Sequence, residues 1–241
     1  ITIKVLGGLA NHDAQSTSYT TNNILNTVSS ASMGASRYRS LLNENTISYD
    51  KIIDKHKFSV LAGFTYQDFL NTSVSGSGQG FISDVTESYD LAAADIPGIP
   101  TSSYSKSTLV SGLARINYIL SDKYLATFTF RGDGASQYSK GDKWGYFPSG
   151  ALAWRISNED FFNVPSISNM KIRASWGVSG NQAIGAYTTL TTLTAGLKSF
   201  GEGTYITYAP GTSLPNNLRW ETTETRDMGL DLGMFNGRLN I

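Results

Sequence analysis

The sequence predicts an all-β fold of antiparallel strands, and three observations support this prediction. Ser, Thr, Tyr and Gly are abundant among the 241 residues, and only 16% are charged, against roughly 25% in typical soluble domains. Such a composition favours strands over helices. Several segments alternate apolar and polar residues with period two. Short and long connections also alternate along the chain.

The alternating segments define the strands. In residues 58–66, one face carries Phe58, Val60, Ala62, Phe64 and Tyr66, while Ser59, Gly63 and Thr65 lie mostly on the other. The same alternation appears in residues 110–120, 124–131, 171–176 and 227–234. Each segment has one apolar face and one face of mixed polar residues, which either a soluble sandwich or a membrane barrel requires.

The connections distinguish these two folds. Short ones are predicted at Asp54-Lys55-His56, Ser121-Asp122 and Asn236-Gly237, and long ones at 11–44, 70–105, 134–147 and 178–218. Residues 157–169 form a medium connection where a short one is due, and residues 84–94 are predicted to hold one or two helical turns. Outer-membrane barrels alternate turns and long loops in this way. The fold class is therefore an antiparallel transmembrane β-barrel segment, with a soluble β-sandwich as the alternative.

Composition and motifs exclude several functions. The net charge is zero, which argues against nucleic acid as a partner. The absence of Cys excludes disulfides and thiolate zinc sites. His12 and His56 are far apart, and His56 is predicted to be solvated in a turn. Glu159 and Asp160 are expected to point to opposite faces of an extended chain. We therefore expect no enzyme, no cofactor and no metal site.

The segment "RGDGASQYSKGDKWGYFPSGALAW" (131–154) allows three interpretations. Arg131-Gly132-Asp133 matches an adhesion tripeptide, which is common by chance. A calcium loop would need an Asp-x-Asp ligand spacing, which is missing here. The third interpretation, the outer tip of a β-hairpin, fits the alternation on both sides and is the one we adopt.

Four segments in order resemble a known family: "ARINYILSDKYLATFTFRGDGASQY" (114–138), "GYFPSGALAWRISNEDFF" (145–162), "MKIRASWGVSGNQAIGAY" (170–187) and "LRWETTETRDMGLDLGMFNGRLNI" (218–241). They are similar to the barrel of SusC/RagA-type TonB-dependent outer-membrane transporters of Bacteroidetes. The first hundred residues fit this family loosely, as its variable loops would.

The resemblance implies a cell outer-membrane protein that imports oligosaccharides or peptides. A TonB complex would power it, and a SusD-like lipoprotein would be its partner. Family barrels have roughly 22 strands around an N-terminal plug, and about nine strands are predicted here. Residues 1–241 are therefore expected to be a partial barrel domain without the plug and closing strands. Such a slice is not expected to fold stably alone in water, because two sheet edges would be open. If the resemblance fails, the alternative is a secreted β-sandwich that binds carbohydrate.

The resemblance implies a different environment for each of the two strand faces. The face expected to contact lipid carries Val110, Ala114, Ile116, Phe128, Phe130, Leu230 and Leu232, with aromatic girdles at Tyr118, Tyr124 and Trp154 and at Tyr66 and Trp176. The face expected to line the lumen carries Arg115, Asn117, Arg131, Arg155, Arg173, Asp227 and Asp231. Candidate substrate-stacking aromatics in extracellular loops are Trp144, Tyr146, Tyr187, Tyr205 and Tyr208. The sequence does not name the cargo.

Overall fold

A computed structural model describes residues 1–25, 28–182, 184–211, 215 and 217–241. The predicted loops 11–44 and 178–218 each include a few positions outside the described residues, namely 26–27 in the first and 183, 212–214 and 216 in the second. The described residues fall into twelve strands: β1 (Thr2–Thr20), β2 (Ser30–Ile53), β3 (His56–Phe81), β4 (Ala94–Pro97), β5 (Thr101–Leu120), β6 (Tyr124–Ala135), β7 (Trp144–Arg155), β8 (Ile167–Asn181), β9 (Leu193–Phe200), β10 (Gly203–Pro210), β11 (Glu221–Met234) and β12 (Leu239–Asn240).

One sheet contains ten of these strands, in the order β1-β2-β3-β5-β6-β7-β8-β11-β12, with β4 paired to β3. Strands β9 and β10 form a separate two-stranded ribbon. Almost every strand pairs with its neighbour in the chain, as in an up-and-down antiparallel arrangement. The predicted all-β antiparallel fold is confirmed.

The connections follow the predicted alternation. Two residues join β2 to β3 and three join β5 to β6, and Ser121 and Asp122 have left-handed φ values of 53° and 55°. A 3-10 helix at Ile156–Asn158 lies in the medium connection. The predicted helical turns are 3-10 helices at Glu87–Tyr89 and Leu91–Ala93. Within the described residues, no helix is long and apolar enough to cross a membrane.

The predicted extents of all four long loops were wrong, because strands extend into each of them. Residues 11–20 and 30–44 are strand, as are residues 70–81 and 101–105. These stretches lack an apolar face, so the alternation that defines the other strands is absent from them.

The chain divides into two units. The first comprises Ile1–Leu6, Asn43–Tyr66 and Leu109–Ile241, and the second comprises Gly7–Leu42 and Gln67–Thr108. Among the residues that the structure describes, neither unit has a central hydrophobic core. The buried apolar residues of the first unit lie at strand ends and in connections: Ala135, Tyr138, Phe147 and Ile156. Large apolar side chains in mid-strand, such as Phe128 and Leu152, are exposed.

Candidate functional site

The first unit has one continuous apolar face. The register pairs Ile116 with Phe128 and Ala126 with Leu152, and residues directly opposite each other share a face. The same face continues through β8 and β11, where Ala174 pairs with Met228. All seven predicted lipid-facing residues have this parity, and most of their side chains are exposed. An exposed apolar band of this extent marks a surface that contacts a membrane or another protein.

The opposite face of the first unit is polar. The pairings of β5 to β8 and of β11 place all seven predicted lumen-lining residues on it: Arg115, Asn117, Arg131, Arg155, Arg173, Asp227 and Asp231. Their common face follows from the register, whereas their contact with a lumen stays a prediction.

Most of these polar side chains bind a neighbouring strand. Asp231 accepts from Lys171 at 2.6 Å and from Arg173 at 3.1 Å. Arg115 donates to Thr129 at 3.0 Å. Asp227 has no hydrogen-bond partner among the described side chains and lies opposite Ser175. Cross-strand pairs of this kind hold a sheet together.

The adhesion interpretation of Arg131-Gly132-Asp133 does not fit the structure. All three residues lie inside β6, and Asp133 is only 7% exposed. Arg131 donates to Asp133 at 2.8 Å and to Ser111 at 3.2 Å. The tripeptide is therefore internally paired and part of a strand. Within the described ranges, no group of three acidic or histidine ligands could hold a metal ion.

Two of the five predicted substrate aromatics lie outside a loop. Trp144 and Tyr146 begin β7 on its apolar face, where Tyr146 stacks on Phe130 at 5.9 Å. Their predicted loop position was wrong, because β7 starts before the Phe-Pro motif. Tyr187 lies in the connection after β8, and Tyr205 and Tyr208 occupy opposite faces of the ribbon. Contact of any of the five with substrate stays a prediction.

Sequence reasoning missed an aromatic cluster on the polar face. Phe147 is 6% exposed and packs edge-on against Trp220 at 5.4 Å, and Tyr138 stacks on Trp220 at 5.3 Å. A side chain at Gly180 would lie 2.1 Å from the Phe147 ring. The signal was Phe147 itself, an apolar residue at a polar-face position.

This cluster joins two connections. Trp220 donates through Nε1 to the Lys143 carbonyl at 3.0 Å, and Arg219 pairs with Asp142 at 3.1 Å. Thr189 donates to the Gln137 carbonyl at 2.9 Å. Residues 136–143 and the long segment between β8 and β11 are thereby held against each other.

In the second unit the two sheet faces divide the polar residues by type. One face carries the ion pairs Asp13–Arg37 and Asp68–Lys106. The other is lined by hydroxyl groups: Ser73 bonds Ser103 at 2.7 Å, and Ser75 bonds Thr101 at 2.8 Å. A side chain at Gly34 would contact Ser16 Oγ at 3.1 Å, so Gly34 continues this row. By strand parity, the ion-pair face also carries exposed Val74 and Tyr104, so its charged pairs lie among apolar side chains.

The ends of β1 and β3 are also tied within the second unit. Tyr19 and Thr21 donate to the Asp84 carboxylate, and these two hydrogen bonds lower the pKa of Asp84. Buried Ser29 accepts from the backbone amide of Phe81 at 2.8 Å. The connection after β3 is therefore fixed at its start.

The short-connection end of the first unit carries a second network. The Glu159 carboxylate accepts from Tyr124 at 2.7 Å, Trp154 Nε1 at 2.9 Å and Lys123 at 2.9 Å. These donors lower the pKa of Glu159 to about 2. Asp160 also reaches Lys123, at 3.5 Å. The expectation that Glu159 and Asp160 point apart was wrong, because the chain turns here rather than extending.

Neighbouring connections join this network. Asp122 pairs with Lys57 at 2.6 Å, and its carbonyl accepts from Asn158 at 3.0 Å. His56 begins β3 and is exposed, which agrees with its predicted solvation. Its Nδ1 lies 2.7 Å from the Tyr118 hydroxyl, and its ring stacks on Tyr118 and Phe58. Successive turns therefore form one bonded rim with an aromatic edge.

An antiparallel sheet with an exposed apolar face, a polar opposite face and aromatic residues near its ends has the features of a membrane barrel wall. The chain belongs to the TonB dependent receptor-like, beta-barrel family, whose model matches residues 4–241. This membership leaves the soluble sandwich alternative without support.

Relatives agree with this assignment. The chain is 34% identical over 201 residues to TonB-dependent receptor P3 of Formosa agariphila, covering 83% of the chain and 20% of that receptor. It is 37% identical over 199 residues to TonB-dependent receptor SusC of Bacteroides thetaiotaomicron, covering 80% of the chain and 19% of SusC. The chain thus spans about a fifth of the length of these curated relatives.

Solved structures show the same fold. The structure of the RagAB peptide transporter superposes with a TM-score of 0.87 at 23% identity, covering 99% of this chain and 27% of that one. The RagAB peptide importer in the "open-open" state gives a TM-score of 0.85 at 22% identity, covering 99% and 26%.

Proposed function

We propose that this chain forms part of the barrel wall of an outer-membrane TonB-dependent transporter that imports oligosaccharides or peptides. The carrying observation is the exposed apolar face of the first unit backed by a face of paired charges. A barrel wall between lipid and a polar interior accounts for both faces, and the match to the TonB dependent receptor-like, beta-barrel family supports it over a sandwich. The relatives named as TonB-dependent receptors support the coupling to TonB.

Residues 1–241 would then be a partial barrel domain, with the plug and closing strands elsewhere in a longer protein. The support is the share of each relative that the chain covers. A SusD-like lipoprotein is the proposed partner at the extracellular mouth, supported by the similarity to SusC and to a transporter named RagAB. The proposed activity is transport and not catalysis.

Contact with cargo is proposed for the loop segment between β8 and β11. Tyr205 and Tyr208 are exposed on its ribbon, and Tyr187 lies nearby in sequence. Aromatic rings can stack on sugar faces or pack against peptide side chains. Trp144 and Tyr146 are weaker candidates because they share the apolar face of β7.

The test uses the full-length protein in its own cells. Deleting its gene should abolish uptake of one labelled class, oligosaccharides or peptides, and an uncoupler of the proton gradient should do the same. Changing Tyr205→Ala and Tyr208→Ala together should weaken cargo binding, with Phe235→Ala, an exposed ring in the short connection after β11, as the matched control. Uptake that survives both deletion and uncoupling would refute the transporter proposal.

A further inference from the structure

The connection between β7 and β8 does not extend freely away from the sheet. Glu159 lies within it, yet its carboxylate is only 10% exposed. The hydroxyl of Tyr124 and Nε1 of Trp154 both donate to Glu159 Oε1. Because these two rings belong to the apolar face, the connection folds back across the end of that face.

Phe161 extends this arrangement. Its ring packs edge-on against Trp154, with centroids 6.5 Å apart, and Trp154 in turn stacks on Tyr124 at 6.4 Å. Phe161 is nevertheless 71% exposed. The neighbouring Asp160 side chain is fully exposed. Adjacent residues of one short connection therefore present an apolar ring toward the aromatic edge and a carboxylate to water.

The carboxylate beneath these rings is hydrogen-bonded. Lys123 donates to Glu159 at 2.9 Å and approaches Asp160 at 3.5 Å, so one lysine faces two carboxylates. Tyr124 and Trp154 both donate to Glu159, and a polar group that is hydrogen-bonded costs less to remove from water than an unpaired one.

The adjoining surface is also apolar. A shallow groove of about 380 Å³ runs beside the Tyr124–Trp154 pair and is lined by Tyr118, Ala126, Leu152, Ile172 and Ala174, among others. The aromatic connection is thus continuous with the exposed apolar face. Rings with satisfied polar atoms at the edge of an apolar band belong at the headgroup level of a bilayer.

We propose that residues 159–162 form an interfacial foot, in which Phe161 inserts into the lipid headgroup region and extends the membrane contact beyond the last residue of β7. The occupant of this surface is the bilayer interface, chosen because the surface is continuous with the apolar face and the polar atoms of its two rings are hydrogen-bonded. The inference rests on the proposed transporter function, since it requires the sheet to span a membrane.

The test places single nitroxide labels in the full-length protein reconstituted in phospholipid vesicles, after replacing any other cysteines. The positions are Phe161→Cys, Asp160→Cys as the matched neighbour, and Leu152→Cys in the middle of the apolar face. Power-saturation EPR then compares collisions with oxygen, which enters lipid, and with a water-soluble nickel chelate. The ratio of oxygen to nickel collisions should be several-fold higher at 161 than at 160, and highest at 152.

Each outcome separates the two proposals. Equal nickel access at 161 and 160 would overturn the foot, as would protection of 161 from both reagents, which would mean burial against protein. High nickel access at 152 would instead refute the membrane-spanning sheet. A second variant, Phe161→Trp, should show fluorescence quenched by lipids brominated near the headgroup, and an unchanged signal would also overturn the foot.

Discussion

The two units alternate side chains along their strands in the same way, but with different chemistry on each face. In the first unit an apolar face opposes a face of paired charges such as Lys171–Asp231. In the second unit a face with ion pairs such as Asp13–Arg37 opposes a face of hydroxyls such as Ser73 and Ser103. An alternation with period two indicates a strand, whereas the residue types on its two faces indicate the medium that each face contacts. The first unit has faces suited to lipid and to a polar interior. In the second unit, charged pairs interrupt the face that carries Val74 and Tyr104.

The strongest test of this difference between the units is to place the same charged residue in each of them. Leu152→Arg puts a guanidinium on the apolar face, where the cost near a bilayer midplane is about 2–4 kcal/mol. Ser103→Arg puts it on the hydroxyl face, where no lipid contact is expected. The folded fraction of full-length protein in outer membranes should fall strongly for the first variant and little for the second. Equal losses would show that both faces contact the same medium.

The aromatic cluster gives a second contrast within the first unit. Phe147→Ala should destabilise residues 136–143 by about 3 kcal/mol, because a nearly buried ring leaves a cavity beside Trp220. Tyr146→Ala, the next residue on the opposite face, removes a ring that is 60% exposed and should cost less. Limited proteolysis of intact cells should cut residues 136–143 faster in the Phe147 variant. Equal cutting rates would mean that the cluster does not hold this connection.

The Glu159 network predicts a particular pH dependence. Its pKa is lowered from 4.5 to about 2 in the folded protein, so its stabilising contribution is present above pH 4.5. The contribution is lost as the pH falls from 4.5 towards 2, where the folded carboxylate takes up a proton. The free energy of unfolding of the full-length protein in detergent should therefore fall across this window. Glu159→Gln should show a shallower fall, and identical slopes would contradict the assignment.

The smallest effect is expected in the second unit. The side chains of Arg37 and Asp13 are largely exposed, and exposed pairs contribute little to stability. Arg37→Gln should leave the free energy of unfolding nearly unchanged and insensitive to added salt. A large loss would show that this face is covered in the whole protein, which would weaken the contrast between the units.

The sequence predicted the strands of the first unit better than those of the second. Strands β5 to β8 and β11 were predicted because their alternating residues give each an apolar face. Residues 11–20 and 30–44 were assigned to a loop because their sequence shows no such face. The seven polar-face residues share one face as their parity implied. Their partners depend on register, so pairs such as Arg173 with Asp231 were not predictable.

Three features of the candidate site also lay beyond sequence reasoning. Phe147 and Trp220 are 73 positions apart, and their contact requires β7, β8 and β11 to lie side by side. The joint contact of Glu159 and Asp160 with Lys123 depends on a turn that replaces an extended chain. Trp144 and Tyr146 were misplaced because the start of β7 is marked by no breaker residue.

The pairing of Asn181 with Glu221 has a further consequence. The chain leaves the sheet at one strand and returns at its immediate neighbour, so the segment between them, including the β9–β10 ribbon, is an excursion with closely spaced ends. Its length and composition can change without altering the register of any strand pair in the sheet. Such a segment can be replaced without disturbing the sheet. Related proteins can therefore differ in this surface while they share the same strand pairs.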